Sequence, residues 1–382
     1  MVTVADIVAL PAFHKVEVVA GAPGALQRAV RNVGIMDAAP GEDAYSDYVA
    51  GELIVTNLGF ARDDAALAER ALCQMLERPL AALAVRNVHG LPLGDGPRAA
   101  SEASGTPLLA YEGEYYEHVI FQAMQLLERD RADSDRARLI DGLLARGSAE
   151  NVRAVLHEAT GATGATVQCA VLRPAASDEA SLYAQIDELT AVCDAIKASW
   201  ERVEGATALR YHDCALLLVT YHRPPEAWGL EADSEFVRLL QPHGRFMAGI
   251  SEELPLGQGD LALREAFHAL EHGQAEGRAI TRWAAMGASA FQAAARSDRL
   301  IASTCALYRQ MLANHDEAHD GSLLETARAL ADSCGDVRAA AKALFQHPNT
   351  VRYRMRRMRE VLNLPDATDR ELARFLMLAF LA

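Results

Sequence analysis

The stretch His347-Pro348-Asn349-Thr350-Val351-Arg352-Tyr353-Arg354-Met355-Arg356-Arg357-Met358 sorts its residues onto two faces of a helix. At about 100° per residue, Val351, Met355, Met358 and Leu362 share one side, at the spacing i, i+4, i+7, i+11. Asn349, Arg352, Tyr353, Arg356 and Arg357 fall opposite them, with Thr350 at the flank. Five arginines stand between positions 352 and 359, against one nearby acid, Glu360. Pro348 suits the first turn of such a helix, where its missing N–H costs nothing.

Working outward, Ser322-Leu323-Leu324-Glu325 has the form of a capping box, which predicts a helix start. Leu323, Leu324, Ala327, Leu330 and Ala331 follow at helical spacing, and Gly335 is placed to end the helix in a left-handed conformation. Asp336 is a good N-cap for a second helix with the stripe Val337, Ala340, Ala341 and Leu344. Phe345-Gln346-His347 forms a short link to the arginine-rich helix. Beyond that helix, Thr368-Asp369-Arg370-Glu371 predicts another capping box, with Leu372, Phe375, Leu376, Ala379 and Phe380 as core residues. Two short helices, a tight turn and a basic helix with one apolar face fit a helix-turn-helix bundle that enters the DNA major groove. The first turn of the third helix then meets base edges through Asn349, Thr350 and Tyr353. Arg352 and Arg356 can grip phosphates or guanine, and Arg357 mainly the backbone. A solvated basic face on a structural helix gives the same periodicity.

These residues resemble the PucR/CdaR family of bacterial transcription regulators, whose signature reads His-x-Asn-Thr-(Leu/Val)-x-Tyr-Arg over this helix. Leu323-Leu324-Glu325-Thr326, Gly335-Asp336 and the Ala-Ala-x-x-Leu-Phe run ending at Phe345 are similar to the same module in register. Many relatives carry a basic residue where this chain has Pro348, so one DNA contact of the family is expected to be missing. The resemblance implies an operator DNA partner and a small-molecule effector. It implies neither a catalytic residue nor a cofactor.

The resemblance extends toward the N-terminus. Ala50-Gly51-Glu52-Leu53-Ile54-Val55-Thr56 looks like the hallmark strand of the family's N-terminal domain. On the residues alone, Leu53 to Leu58 reads as a buried strand, Asp64 to Arg78 as a helix, and Leu80 to Arg86 and Pro107 to Tyr111 as further strands. That alternation predicts an α/β sensor domain over residues 1–128. Polar groups near strand ends make Asp37, Glu52, Thr56 and Asn57 the candidate effector residues. Structural capping by Glu52 and a turn role for Asn57 account for them equally well.

Residues from about Thr163 to Trp283 resemble the family's middle domain, a degenerate relative of GGDEF nucleotide cyclases. Ala165 to Leu172, Cys214 to Tyr221 and Phe246 to Ile250 read as strands, and Leu182 to Val203 as a helix. Where a cyclase carries its Gly-Gly-Asp/Glu-Glu-Phe hairpin, this chain has Arg210-Tyr211-His212-Asp213-Cys214. The glycines and paired acids that approach nucleotide phosphates and metal are absent, so Asp213 is expected to be a turn residue. The expected architecture is thus multidomain α/β plus all-α. An α/β sensor (1–128) is followed by a helical linker (129–162), a GGDEF-like α+β domain (163–300) and a helix-turn-helix bundle (301–382).

Composition agrees with a folded, multidomain chain. It has 382 residues, 51% hydrophobic and 23% charged. No basic patch precedes an apolar run at the N-terminus, and no run reaches the ~20 residues of a bilayer span, so a soluble, cytoplasmic protein is expected. Cys73, Cys169, Cys193, Cys214, Cys305 and Cys334 are scattered, and no Cys or His spacing suggests a metal site. The net charge of −15 conceals an asymmetry. From Gly321 onward, ten basic residues outnumber seven acidic ones, leaving the body strongly acidic. Glu114 to Arg146 is helix-forming with a charge-dense centre, suited to a signalling helix, a dimer contact or a broken helix. Arg223-Pro224-Pro225 and Pro242-His243-Gly244 read as loops, and Asn314 to Gly321 as a flexible link. A homodimer is expected, since paired recognition helices must meet half-sites about one turn apart. Two other functions fit less of the sequence: a metabolite sensor acting on protein partners, and a residual nucleotide-processing enzyme.

Overall fold

In the computed structural model, which describes residues 1–41, 45–146, 151–174, 182–224, 240 and 246–382, the chain divides into two units. The first comprises Met1–Leu270 with Arg278–Ile280, and the second Glu271–Gly277 with Thr281–Ala382.

The first unit opens with α1 (Val4–Val8), β1 (Phe13–Ala20), β2 (Asn32–Ile35), β3 (Glu52–Thr56), α2 (Ala65–Leu76), β4 (Ala82–Val85), α3 (Asp95–Ser104) and β5 (Leu108–Gly113). The apolar run at 53–58 becomes β3, every residue of which is buried. Such a strand needs cover on both faces, and the βα alternation supplies it. The sheet order is β1-β5-β4-β3-β2, with β2 to β5 parallel and β1 antiparallel to β5. Odd and even residues of β3 part company across it. Ile54 packs with Leu72, Met75 and Leu76 of α2, whereas Leu53 and Val55 pack with Val4 and Ile7 of α1 and with Val119 and Ala123. The last two belong to α4 (Tyr116–Arg146), a single helix of 31 residues.

That helix is about 46 Å long and runs without a break through residues 128 and 129, the expected boundary between the first domain and a helical linker. Val119, Ala123, Leu126 and Leu127 complete the first core, while Ala137, Ile140 and Leu143 enter a second. Around the second core stand α5 (Val152–Thr160), β6 (Thr166–Pro174), α6 (Leu182–Ser199), β7 (Val203–Tyr211), β8 (Cys214–Tyr221), β9 (Phe246–Ile250), β10 (Leu254–Pro255) and α7 (Gly259–Glu276). The strands run β9-β6-β8-β7, each neighbour antiparallel, with β10 beside β6. α6 covers one face through Ile186, Leu189 and Ile196. α5 and α7 cover the other through Leu156, Leu263 and Ala266. β7 is not legible in the sequence, because its burial mixes inward and half-exposed positions without clean alternation. The expected Pro224-Pro225 and Pro242-His243-Gly244 loops lie largely outside the described residues.

Where α4 passes between the two cores, Asp130 accepts hydrogen bonds from Tyr183 Oη (2.8 Å) on α6 and Arg210 Nη1 (2.9 Å) on β7. Arg210 is mostly enclosed, so this is a partly desolvated ion pair rather than a surface one.

The second unit is helical apart from part of a short strand, β11 (Ile280–Arg282). It contains α8 (Ala288–Ser297), α9 (Arg299–His319), α10 (Leu323–Asp332), α11 (Val337–Ala343), α12 (Pro348–Val361) and α13 (Asp369–Ala379). The expected flexible link at Asn314 to Gly321 is mostly the end of α9. Asp298 starts that helix by accepting from Ile301 N–H at 2.8 Å, and Leu312 is buried among the helices that follow. Polar residues 314–319 carry no apolar period, yet helix is imposed on them by what precedes them and by Asp316, described below. Among the described residues, no helix is long and apolar enough to cross a membrane.

Candidate nucleic-acid interface

α10 begins at Leu323, but not through the expected capping box. Ser322 makes no side-chain cap. Instead, the Asp316 carboxylate reaches from α9 and accepts from Leu323 N–H (2.7 Å) and Leu324 N–H (2.8 Å). A carboxylate oxygen for each orphan amide is a stronger cap than one hydroxyl, and it ties two helices together. At the other end, Gly335 N–H donates to Leu330 O and Cys334 N–H to Ala331 O. This is the Schellman pattern, with Cys334 (φ 52°) as the left-handed residue and Gly335 (φ 83°) after it. A Cβ on Gly335 would lie 2.6 Å from Ala373 Cβ on α13, so glycine lets the two helices meet.

Asp336 caps α11 as expected, accepting from Arg338 and Ala339 N–H, and those amides hold its carboxyl below the usual range. α11 ends in a second Schellman turn, with Gln346 N–H to Ala341 O and Phe345 N–H to Lys342 O, and Phe345 at φ 56°. His347 then caps α12 by accepting from Asn349 N–H (3.1 Å), with Pro348 in the first turn. The capping box at Thr368 and Glu371 forms at the head of α13.

The stripe Val351, Met355, Met358 and Leu362 is buried, each residue 3% exposed or less. Sequence periodicity therefore placed both faces of α12 correctly. Its five arginines, however, do different work. Arg354 Nη1 donates to Thr326 Oγ1 (2.8 Å), fastening α12 to α10. Arg359 bonds to Ala367 O (2.5 Å) and pairs with Asp369, closing the turn into α13. Arg357 pairs with Glu360 and donates to His315 Nε2 (3.2 Å), so its charge is partly spent within the fold. Arg352 and Arg356 face solvent. Arg352 Nη1 donates to Asn349 Oδ1 (3.2 Å), which aligns the first turn's polar groups, and Arg356 stacks over the ring of exposed Tyr353 at 5.8 Å. Thr350 is half-buried at the edge of this face. The structure thus gathers Asn349, Arg352, Tyr353 and Arg356 on one open surface, with Arg357 at its rim. Arg338 and Lys342 of α11, one turn apart and exposed, add two basic side chains that only their i, i+4 spacing signals in the sequence.

The four effector candidates do not form one site. Glu52 begins β3 and so lies at the opposite end of the parallel sheet from the other three. It accepts from Asn32 Nδ2 (2.7 Å) and Val49 N–H (3.0 Å). Thr56 donates to Met36 O (2.6 Å) and accepts from Leu58 N–H. Asn57 accepts from Gly59 N–H (2.8 Å) in a turn, and Asp37 is exposed after β2. Asp213 sits in the β7–β8 turn and pairs with Arg173 at 3.2 Å, as a turn residue would. Four cysteines are buried and Cys73 is half-buried, but Cys334 is exposed. Among the described residues, no cluster of three or more His, Cys, Asp or Glu could hold a metal ion.

Residues 323–382 match the PucR C-terminal helix-turn-helix domain. The match opens on the first residue of α10 and covers α10 to α13. No curated protein matches the chain. Among solved structures, a regulator of polyketide synthase expression from Bifidobacterium adolescentis is similar at 19% identity. The similarity covers 64% of this chain and 93% of that one, with a TM-score of 0.32. So loose a superposition leaves the fold to rest on the strands and helices described above. Capped helices, a buried stripe and an open basic face coincide with the matched span, and residues 323–382 are a PucR-type C-terminal helix-turn-helix domain.

Proposed function

We propose that this chain is a ligand-responsive transcriptional regulator of a catabolic or metabolic operon, reading operator DNA with α12. The observation that carries the reading is the open face of that helix. Among the described residues, Arg352 and Arg356 make no ion pair there, beside Asn349 and Tyr353, while Arg354 and Arg359 are committed to the fold and Arg357 partly so. Free guanidinium groups on an exposed helix suit phosphates and guanine edges. Arg338 and Lys342 extend the positive surface along α11.

The α/β domain is the proposed sensor, with Asp37 and Asn57 at the carboxyl ends of β2 and β3, where open parallel sheets take ligands. Thr56 supports that edge rather than lining it, and Glu52 stands at the other end of β3. α4 suits transmission, because one rigid helix completes the sensor core and the next core alike. The second of those cores is proposed to be a GGDEF-like module kept for its scaffold, since the hairpin around Asp213 holds a salt bridge in place of a nucleotide loop. Operation as a cytoplasmic homodimer completes the proposal. In support, α9 and α13 leave an apolar groove of about 470 Å³ lined by Leu300, Ile301, Tyr308, Phe375 and Leu378.

The test is selection of a duplex from a random-sequence pool, with and without a small-molecule extract, followed by titration over a range of salt. Binding should weaken steeply with salt, and Arg352→Ala/Arg356→Ala should reduce the log–log slope by about 0.9 for each phosphate that the variant no longer neutralises. Failure of the wild type to select any duplex under either condition would overturn the reading.

A further inference from the structure

The turn between α11 and α12 holds the most exposed large hydrophobic side chain among the described residues. Phe345 is 95% exposed. Its backbone is left-handed, at φ 56°. Glycine occupies that helix-ending conformation freely, and a side chain such as phenylalanine strains it. Phe345 therefore contributes two unfavourable features to the folded chain, an apolar ring in water and a strained backbone. Among the described residues, the ring joins no hydrophobic core. A single exposed hydrophobe is ordinary, whereas one placed where glycine is the natural residue points toward function.

Position says which function. Phe345 is the residue after the C-cap of α11 and stands four residues before Asn349, in the first turn of the recognition helix. Exposed Lys342, Gln346 and His347 flank it along the chain. In a helix-turn-helix, the N-terminal residues of the recognition helix meet base edges in the major groove, and this turn leads directly into them. There each A·T pair offers an apolar feature, the 5-methyl of thymine, which aromatic side chains contact. We infer that Phe345 is a specificity residue, its ring packing against a thymine methyl at the edge of the site that α12 reads. The inference rests on the DNA-binding reading proposed above. It adds an apolar contact from outside the recognition helix to the polar ones within it.

The experiment uses the full chain and the duplex selected by the wild type, with Phe345→Gly and Phe345→Asn, residues that both tolerate the left-handed turn. Each variant should melt at or above the wild-type temperature, because the strain is relieved. Each should also bind the selected duplex roughly fivefold to twentyfold more weakly. Affinity for an unrelated duplex and the salt slope should stay unchanged, since the net charge is the same. Repeating the selection with Phe345→Gly should relax the preference for thymine at one position. Wild-type affinity for the selected duplex in both variants, while Arg352→Ala/Arg356→Ala loses it, would overturn the inference and leave the DNA-binding reading standing. Normal DNA binding with an altered oligomeric mass would reassign the ring to a protein contact. A lower melting temperature in both variants would show that the ring supports the fold and would likewise overturn the inference. Failure of every protein, wild type included, would remove the DNA-binding reading first.

Discussion

Replacing Gly335 by alanine tests how the helix-turn-helix is held together, and two separable costs can be worked out for it. The residue sits at φ 83°, where any Cβ is strained, at about 1–2 kcal/mol. The added Cβ would also lie 2.6 Å from Ala373 Cβ, against the roughly 3.5–4 Å of a carbon–carbon contact. α13 must then retreat by about 1 Å from a core in which Ala373 and Leu372 are buried, a further 1–3 kcal/mol. Together these predict a loss near 3 kcal/mol. For a domain of about this size, each kcal/mol moves the midpoint by roughly 4–8 °C, so the second unit's transition should fall by more than 10 °C. Calorimetry on the full chain reads that transition. The double variant Gly335→Ala/Ala373→Gly separates the two costs. It removes the clash but keeps the backbone strain and adds about 1 kcal/mol for glycine within a helix. Its loss should therefore fall well short of the sum of the two single losses. A drop of less than about 3 °C for Gly335→Ala, or strict additivity in the double variant, would refute the close approach of α10's end to α13.

Asp316→Ala should destabilise the same unit by about 2 kcal/mol in chemical denaturation, since Leu323 and Leu324 N–H lose a charged acceptor at once. Ser322→Ala should have almost no effect. Burial pushes the Glu265 carboxyl up to about 7, despite a hydrogen bond from Glu252 N–H. Ionising it therefore opposes folding. The penalty is absent below about pH 4.5, grows as pH rises, and is complete above about pH 7. Glu265→Gln should match wild-type stability near pH 4.5 and exceed it at pH 8 by on the order of 2 kcal/mol, allowing for partial exposure. Equal melting temperatures at pH 8 would contradict this. Leu300→Asp/Leu378→Asp places charges in the apolar groove of α9 and α13, so sedimentation should show a smaller assembly than wild type. An unchanged mass would remove that groove from the dimer.

Periodicity and capping chemistry alone determined most of the helix-turn-helix. Val351, Met355, Met358 and Leu362 could share only one face of a helix, and Asp336, Pro348, Thr368 and Glu371 mark boundaries by local hydrogen bonding. The buried strand at 52–56 was equally legible, because a short apolar run after glycine has few other uses. Those signals are local, carried by residues within a few positions of one another.

Tertiary structure decided what depends on distant partners. Five arginines look alike in sequence, yet Arg354 is held by Thr326, 28 positions away, and Arg359 by Asp369, while Arg352 and Arg356 stay open. Ser322 presents a sound capping box, but a carboxylate delivered by α9 outcompetes its hydroxyl, and no local pattern announces Asp316. Glu52 and Thr56 are four residues apart on one strand, and only the sheet puts them at opposite ends. The charge-dense centre of α4 resembled a linker because its buried contacts, among them Asp130 with Tyr183 and Arg210, come from elements folded more than fifty residues later. Local chemistry sets where a helix begins and which face is apolar. Which of its charges remain free for another molecule is set by what the rest of the chain brings alongside.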